Sequence, residues 1–214
     1  MILVLDNEVQ PDYRYLGPEI DRLLPESEYV VGAGETEAPD PTAYDGVVLS
    51  GSTASVYDAD HASWLEPQYE LIERSIEKRV PLLGICFGHQ QVNAALGGTV
   101  EEDERRATFV EMERLGTDTI LGGLEPVVPV LHADLVTELG DSMEATAKTA
   151  YNEFFCSRHE SAPLWTVQFH PEFTERVSDR PSDWNPERDT FDDSNATKVL
   201  DNFADACRKN RTGV

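Results

Sequence analysis

Val80-Pro81-Leu82-Leu83-Gly84-Ile85-Cys86-Phe87-Gly88-His89-Gln90-Gln91-Val92-Asn93-Ala94-Ala95-Leu96-Gly97-Gly98 opens on a short apolar run and closes on two glycines. The run has the pattern of a buried strand. The later residues read as a helix ending at Leu96, with Gly97 as its C-terminal cap. Between them lies Gly84-Ile85-Cys86-Phe87-Gly88, a nucleophilic side chain on a tight strand-to-helix turn between glycines. Glycine suits both flanks because the turn is sharp and neighbouring backbone must come close. A thiol at a helix N-terminus faces the positive end of the helix dipole and several unpaired N–H groups, which together favour a negatively charged sulfur. The Phe87 N–H points toward the place where an oxyanion would form during attack on a carbonyl. A lone cysteine at a strand end also reads as a buried, inert side chain.

Upstream, residues 64–79 form an amphipathic helix with Leu65, Tyr69, Ile72 and Ile76 as its apolar stripe. Glu70 and Arg74 are spaced to pair along another face. Ile2–Leu5 is an apolar strand leading to Asp6-Asn7, residues 17–24 a helix with Pro18 in its first turn, and Tyr29–Val31 a second strand. Residues 32–44 read as loop, and Asp45–Ser50 as a third strand entering the turn Ser50-Gly51-Ser52-Thr53. Strand–helix–strand order predicts parallel, right-handed crossovers, and open α/β sheets place their chemistry at the C-terminal ends of the strands.

Downstream, Thr108–Glu113, Val127–Leu131, Glu144–Thr149 and Phe154–Cys156 read as short strands of a small antiparallel extension. His132-Ala133-Asp134 lies among them; His132 reads either as facing a substrate or partner or as a turn histidine. Trp165–Glu172 is a further strand running into His170-Pro171-Glu172. Residues two apart in an extended chain share a side, so His170 and Glu172 can face one another. Residues 173–193 are acidic and aperiodic, a lid, a docking loop or an insertion. Asp192–Asn195 offer caps for a last helix with Ala196, Val199, Leu200, Phe203 and Cys207 on one face.

Gly84-Ile85-Cys86-Phe87-Gly88-His89-Gln90, with Val167-Gln168-Phe169-His170-Pro171-Glu172, resembles the class I (triad) glutamine amidotransferases, most closely the glutaminase subunits of GMP synthases. With the N-terminal strand and the Ser50-Gly51 loop, the resemblance covers most of residues 1–172. It implies one flavodoxin-like domain over 1–214, an open, mostly parallel sheet flanked by helices. It also implies hydrolysis of the glutamine side-chain amide. Cys86 would be the nucleophile, His170 the acid and base, and Glu172 its orienting partner. The oxyanion would be held by backbone N–H groups of Phe87 and of Gly51 or Ser52. The family loop reads Ser-Gly-Gly-Pro where this chain has Ser50-Gly51-Ser52-Thr53, and serine resists positive φ. Gln90 would help grip glutamine, His132 is a further substrate-binding candidate, and His89 would pack behind the elbow. No metal or organic cofactor is implied. The ammonia acceptor would be a separate ATP-dependent synthetase, since no phosphate-binding Gly-x-x-x-x-Gly-Lys loop is present. A stand-alone γ-glutamyl hydrolase and a non-catalytic regulator are the other readings.

Composition narrows the setting. Seventeen basic residues stand against 41 acidic ones, a net charge of −24. That excludes a phosphate-contacting nucleic-acid surface and fits a cytoplasm of molar salt, where repulsion is screened within about 3 Å. No apolar stretch approaches a membrane span, and Ile2–Leu5 is too short for a signal sequence. Three cysteines form no disulfide framework or zinc pattern, and Cys156 and Cys207 read as structural.

Overall fold

The computed structural model describes residues 1–212. In chain order its elements are β1 (Ile2–Asp6), α1 (Leu16–Leu23), β2 (Ser27–Val31), β3 (Gly46–Leu49), α2 (Ala62–Lys78), β4 (Leu82–Ile85) and α3 (Phe87–Ala95). They continue as β5 (Thr99–Glu111), β6 (Glu113–Arg114), β7 (Val127–Glu138), β8 (Met143–Lys148), β9 (Cys156–His159), β10 (Leu164–Val167) and α4 (Lys198–Thr212).

The main sheet has the order β2-β1-β3-β4-β10-β9-β8-β6. Its first five strands are mutually parallel, and β9, β8 and β6 continue it antiparallel. Alternation along each strand separates two cores. Ile2 and Val4 of β1, with Val48, Leu83 and Ile85, pack with Ile20 of α1 and Val199, Leu200 and Phe203 of α4. Leu3 and Leu5, with Val47, Leu49 and Leu82, pack with Leu71 and Ile72 of α2 and Val92 of α3. Both faces are covered, so the central strands read as continuous apolar runs.

The α3 C-terminus shows how local sequence sets an element's end. Gly97 takes φ +86°. Its N–H donates to the Ala94 carbonyl at 3.0 Å and that of Gly98 to Asn93 at 2.8 Å, the paired bonds of a Schellman cap. The helix stops at Ala95, one residue before the expected end.

Several expectations are corrected. The buried face of α2 is Trp64, Leu65, Gln68, Leu71, Ile72 and Ser75, a face whose apolar period is masked by two polar residues. Gln68 accepts from Gln91 at 2.7 Å, and Ser75 donates to the Leu71 carbonyl at 2.7 Å. Arg74 pairs with Asp40 across the loop at 3.0 Å rather than with Glu70. The antiparallel part is two structures. β8, β9 and β6 lengthen the main sheet, whereas β5 and β7 form a separate ribbon. β5 begins at Thr99, not Thr108; its outer stretch, residues 101–105, is charged and exposed, held by backbone pairing without apolar alternation. Phe154 and Phe155 form a turn before β9; Phe155 is fully buried.

Residues 173–193 lack regular helix or strand but are anchored. Phe173 and Val177 pack with Leu131, Tyr15, Trp184 and Phe191. Phe109 meets Trp184 and Phe191 edge-on at 5.1 and 5.0 Å.

Candidate active site

Cys86 sits between β4 and α3 with φ 52° and ψ −103°, a region that costs a non-glycine residue strain. The surroundings hold it there. Its N–H donates to the Val167 carbonyl of β10 at 2.8 Å, and the Gly88 N–H to Ser50 at 3.2 Å. A Cβ on Gly84 would run into the Gly88 carbonyl, and one on Gly88 into the Leu49 carbonyl. Both glycines are therefore required by close backbone approach.

β10 ends at Val167, so His170-Pro171-Glu172 is not the extended end of a strand. It is a turn, closed by Phe173 N–H donating to the His170 carbonyl at 3.1 Å. The expected pairing arises through that turn: His170 Nδ1 lies 2.8 Å from Glu172 Oε1. The two side chains are 2% and 0% exposed. The His170 Nε2 has no hydrogen-bond partner among the described residues, and His170 lines the same cavity as Cys86. A Cβ on Gly51 would lie 2.8 Å from His170 Cε1 and 3.7 Å from Cys86 Cβ, so the loop, the imidazole and the thiol converge. Burial alone pushes the His170 pKa down. The charges of the Cys86 sulfur and the Glu172 carboxylate, with hydrogen bonds to both, outweigh it, and the net direction is up.

The turn Ser50-Gly51-Ser52-Thr53 avoids the conformation serine resists: Ser52 is not among the residues with positive φ. The loop is pinned from β1. Asn7 N–H donates to Ser50 Oγ at 2.9 Å. The Glu8 carboxylate accepts from Thr53 N–H at 2.8 Å and from Thr53 Oγ1 at 2.6 Å. The N–H groups of Gly51, Ser52 and Phe87 donate to no acceptor among the described residues.

Gln90 also lines the cavity; its Nε2 donates to the Asp134 carbonyl at 2.9 Å and to Gln168 Oε1 at 3.4 Å. His132 is not in a turn but in the middle of β7, on the cavity wall. Its Nε2 meets Tyr151 Oη at 3.1 Å, and Arg106 stacks over the Tyr151 ring at 3.9 Å. Burial, with His170 and Arg106 adding to it, pushes the His132 pKa down to about 3. His89 lies behind the elbow, fully buried, with Nδ1 2.7 Å from Thr166 Oγ1. Burial pushes its pKa down to about 3.

Neither Gln168 nor Glu8 stands out in the sequence. Gln168 Nε2 lies 3.6 Å from Cys86 Sγ; the only signal is a polar residue between Val167 and Phe169. Glu8 carries none. The cavity holds about 570 Å³ and reaches from Cys86 past Gly51 to Tyr15 and Asp183. Among the described residues no group of three or more His, Cys, Asp or Glu side chains is placed to hold a metal ion.

Residues 28–181 match the family model "Glutamine amidotransferase class-I". The chain belongs to that family. This amidotransferase is 34% identical over 187 residues to the glutaminase-type subunit of the glutamine-hydrolyzing GMP synthase of Methanopyrus kandleri, covering 82% of this chain and 91% of that one. It is 28% identical over 214 residues to the same-named subunit of Methanothermobacter thermautotrophicus, covering 97% and 98%. Against the glutamine-hydrolyzing GMP synthase of Desulfotalea psychrophila it is 34% identical over 137 residues, or 62% of this chain, and spans only 25% of that protein. In fold, the amidotransferase resembles a glutamine amidotransferase of Thermotoga maritima, with TM-score 0.70, 21% identity and 84% and 80% of the chains covered. A glutamine amido transferase of Methylobacillus flagellatus gives TM-score 0.74 at 13% identity over 100% and 94%. Among the described residues no helix is long and apolar enough to cross a membrane.

Proposed function

We propose that this chain hydrolyses the side-chain amide of glutamine at Cys86 and supplies ammonia to a separate synthetase of the GMP synthase type, which would aminate XMP. The observation that carries the reading is the buried His170–Glu172 pair on the wall of the cavity that holds the strained Cys86. The Cys86 thiolate attacks the amide carbon, and the oxyanion is held by N–H groups of Phe87 and the Gly51-Ser52 turn. Losing one such donor costs on the order of 3 kcal/mol in the barrier. His170 gives a proton to the departing ammonia, leaving a γ-glutamyl thioester. It then takes a proton from water as that water attacks the thioester carbonyl, releasing glutamate and the thiolate. Glu172 holds the ring orientation and offsets its positive charge. Gln90 has both amide hydrogens engaged, so its oxygen is the group left to accept from the substrate's ammonium. His132, neutral, bounds the same space. The relatives that are themselves single GMP synthase subunits, matched along most of their length, support a separate synthetase partner. The acidity of the chain supports work in a cytoplasm of molar salt.

One observation favours a second reading. A cavity of about 570 Å³ is within the range of ~300–1,000 Å³ that encloses drug-sized ligands, so glutamine leaves part of it unfilled. A γ-glutamyl conjugate of a larger amine would fill it and use the same steps. The test is glutamate and ammonia release from glutamine in molar potassium chloride, with and without the ATP-pyrophosphatase synthetase. Stimulation by the synthetase is the expected result. No glutamine turnover under either condition, with glutamate released from a γ-glutamyl amide, would replace the first reading by the second.

A further inference from the structure

We infer that Gln168 is a catalytic donor to the nucleophile: its side-chain N–H holds the Cys86 sulfur in its anionic form. The inference deepens the proposed thiolate chemistry and rests on Cys86 being the nucleophile.

The geometry fixes which end of the Gln168 amide faces the sulfur. The Asp134 carbonyl can only accept, so the Gln90 amide turns its nitrogen toward it, at 2.9 Å. The same nitrogen lies 3.4 Å from the Gln168 oxygen. Nitrogen facing nitrogen would leave two donors opposed, so Gln168 presents its oxygen to Gln90 and its nitrogen to Sγ, at 3.6 Å. Gln168 is fully buried, and its backbone N–H donates to the Phe155 carbonyl at 2.9 Å. The nearest acceptor to Sγ is the Leu131 carbonyl, farther away at 3.9 Å. A donor closer than any acceptor favours the thiolate over the thiol, because hydrogen bonds to a charged atom are the stronger ones.

Other ionisable groups face this sulfur. His170, backed by Glu172, approaches it from the turn after β10, and His132 and Tyr151 lie on the opposite wall. Asp6, Glu8, Asp134 and the Arg105–Asp183 pair line the rest of the cavity. A change confined to residue 168 leaves all of them in place.

The experiment is the pH dependence of Cys86 alkylation by iodoacetamide, which needs no glutamine turnover and so stands apart from the identity of the substrate. In Gln168→Leu the pH of half-maximal rate is expected to rise by about one unit or more, the shift that corresponds to losing a hydrogen bond to a charged group. Gln168→Glu, which adds an acceptor, is expected to move it further in the same direction. Gln90→Met frees the Gln168 amide to turn, and a smaller rise is expected there; it supplies the reading if the Gln168 variants do not fold. A rise in any folded variant supports the donor. A wild-type midpoint in a folded Gln168 variant, or in Gln90→Met when neither Gln168 variant folds, overturns it, whatever happens to kcat.

Discussion

Cys86→Ala is expected to fold and to lose glutamine turnover by about 10⁶-fold, the scale seen when a protease loses its nucleophile. Cys86→Gly is expected to lose the same activity yet to be more stable than Cys86→Ala. The usual order is the reverse, since glycine in a regular element costs roughly 0.5–1 kcal/mol relative to alanine. At residue 86 the backbone has φ 52° and ψ −103°, where any Cβ is strained by about 1–3 kcal/mol. Glycine removes that strain, and the side chain it deletes faces a cavity rather than packed core. Urea unfolding of the two variants measures the difference. Alanine proving the more stable would mean that the elbow is relaxed and that the turn does not force the nucleophile into place.

Glu172→Gln is the second large effect. The carboxylate is fully buried and bound to His170 Nδ1 at 2.8 Å, and its second oxygen has no partner among the described residues. Glutamine keeps the shape but loses the charge, and its amide can face the ring with either end. By analogy with the wrong-tautomer variant of a serine protease, kcat is expected to fall about 10⁴-fold with the fold retained. The pH profile moves as well. The Cys86 sulfur and Glu172 hold the His170 proton against the opposing effect of burial. Protonated His170 therefore persists through neutral pH and is lost only at alkaline pH. With the carboxylate gone, the proton leaves at lower pH, so the alkaline limb of residual kcat should move toward neutrality. An alkaline limb that stays in place would remove Glu172 from the assigned role.

The parts of this molecule that are legible in the sequence are those written in local residue type. The elbow can be read because Gly84 and Gly88 are the residues a close backbone approach requires, and Gly97 because a helix end needs positive φ. The His170–Glu172 pairing is readable from spacing, although it arises through a turn closed by Phe173 and not through strand alternation. The hidden parts depend on contacts between distant segments. Glu8 pins Thr53 across 45 positions and so steadies a turn whose serine looks ill-suited. Arg74 reaches Asp40 instead of its helical neighbour. The outer β5 has no apolar period because its stretch at residues 101–105 is charged and exposed, its hydrogen bonds supplied by β7. Gln168 has no signature of its own, since a glutamine at a strand end reads as surface until its neighbours are placed.

Acyl transfer through one sulfur is the step on which every assigned role depends, and the most direct measurement is the mass of the enzyme quenched with acid during glutamine turnover. The expected result is an added γ-glutamyl group on the peptide that carries Cys86, absent from Cys86→Ala and accumulating in variants whose second step is slowed. Glutamate released at full rate with no adduct on Cys86, or with the adduct on Cys156 or Cys207, would contradict it.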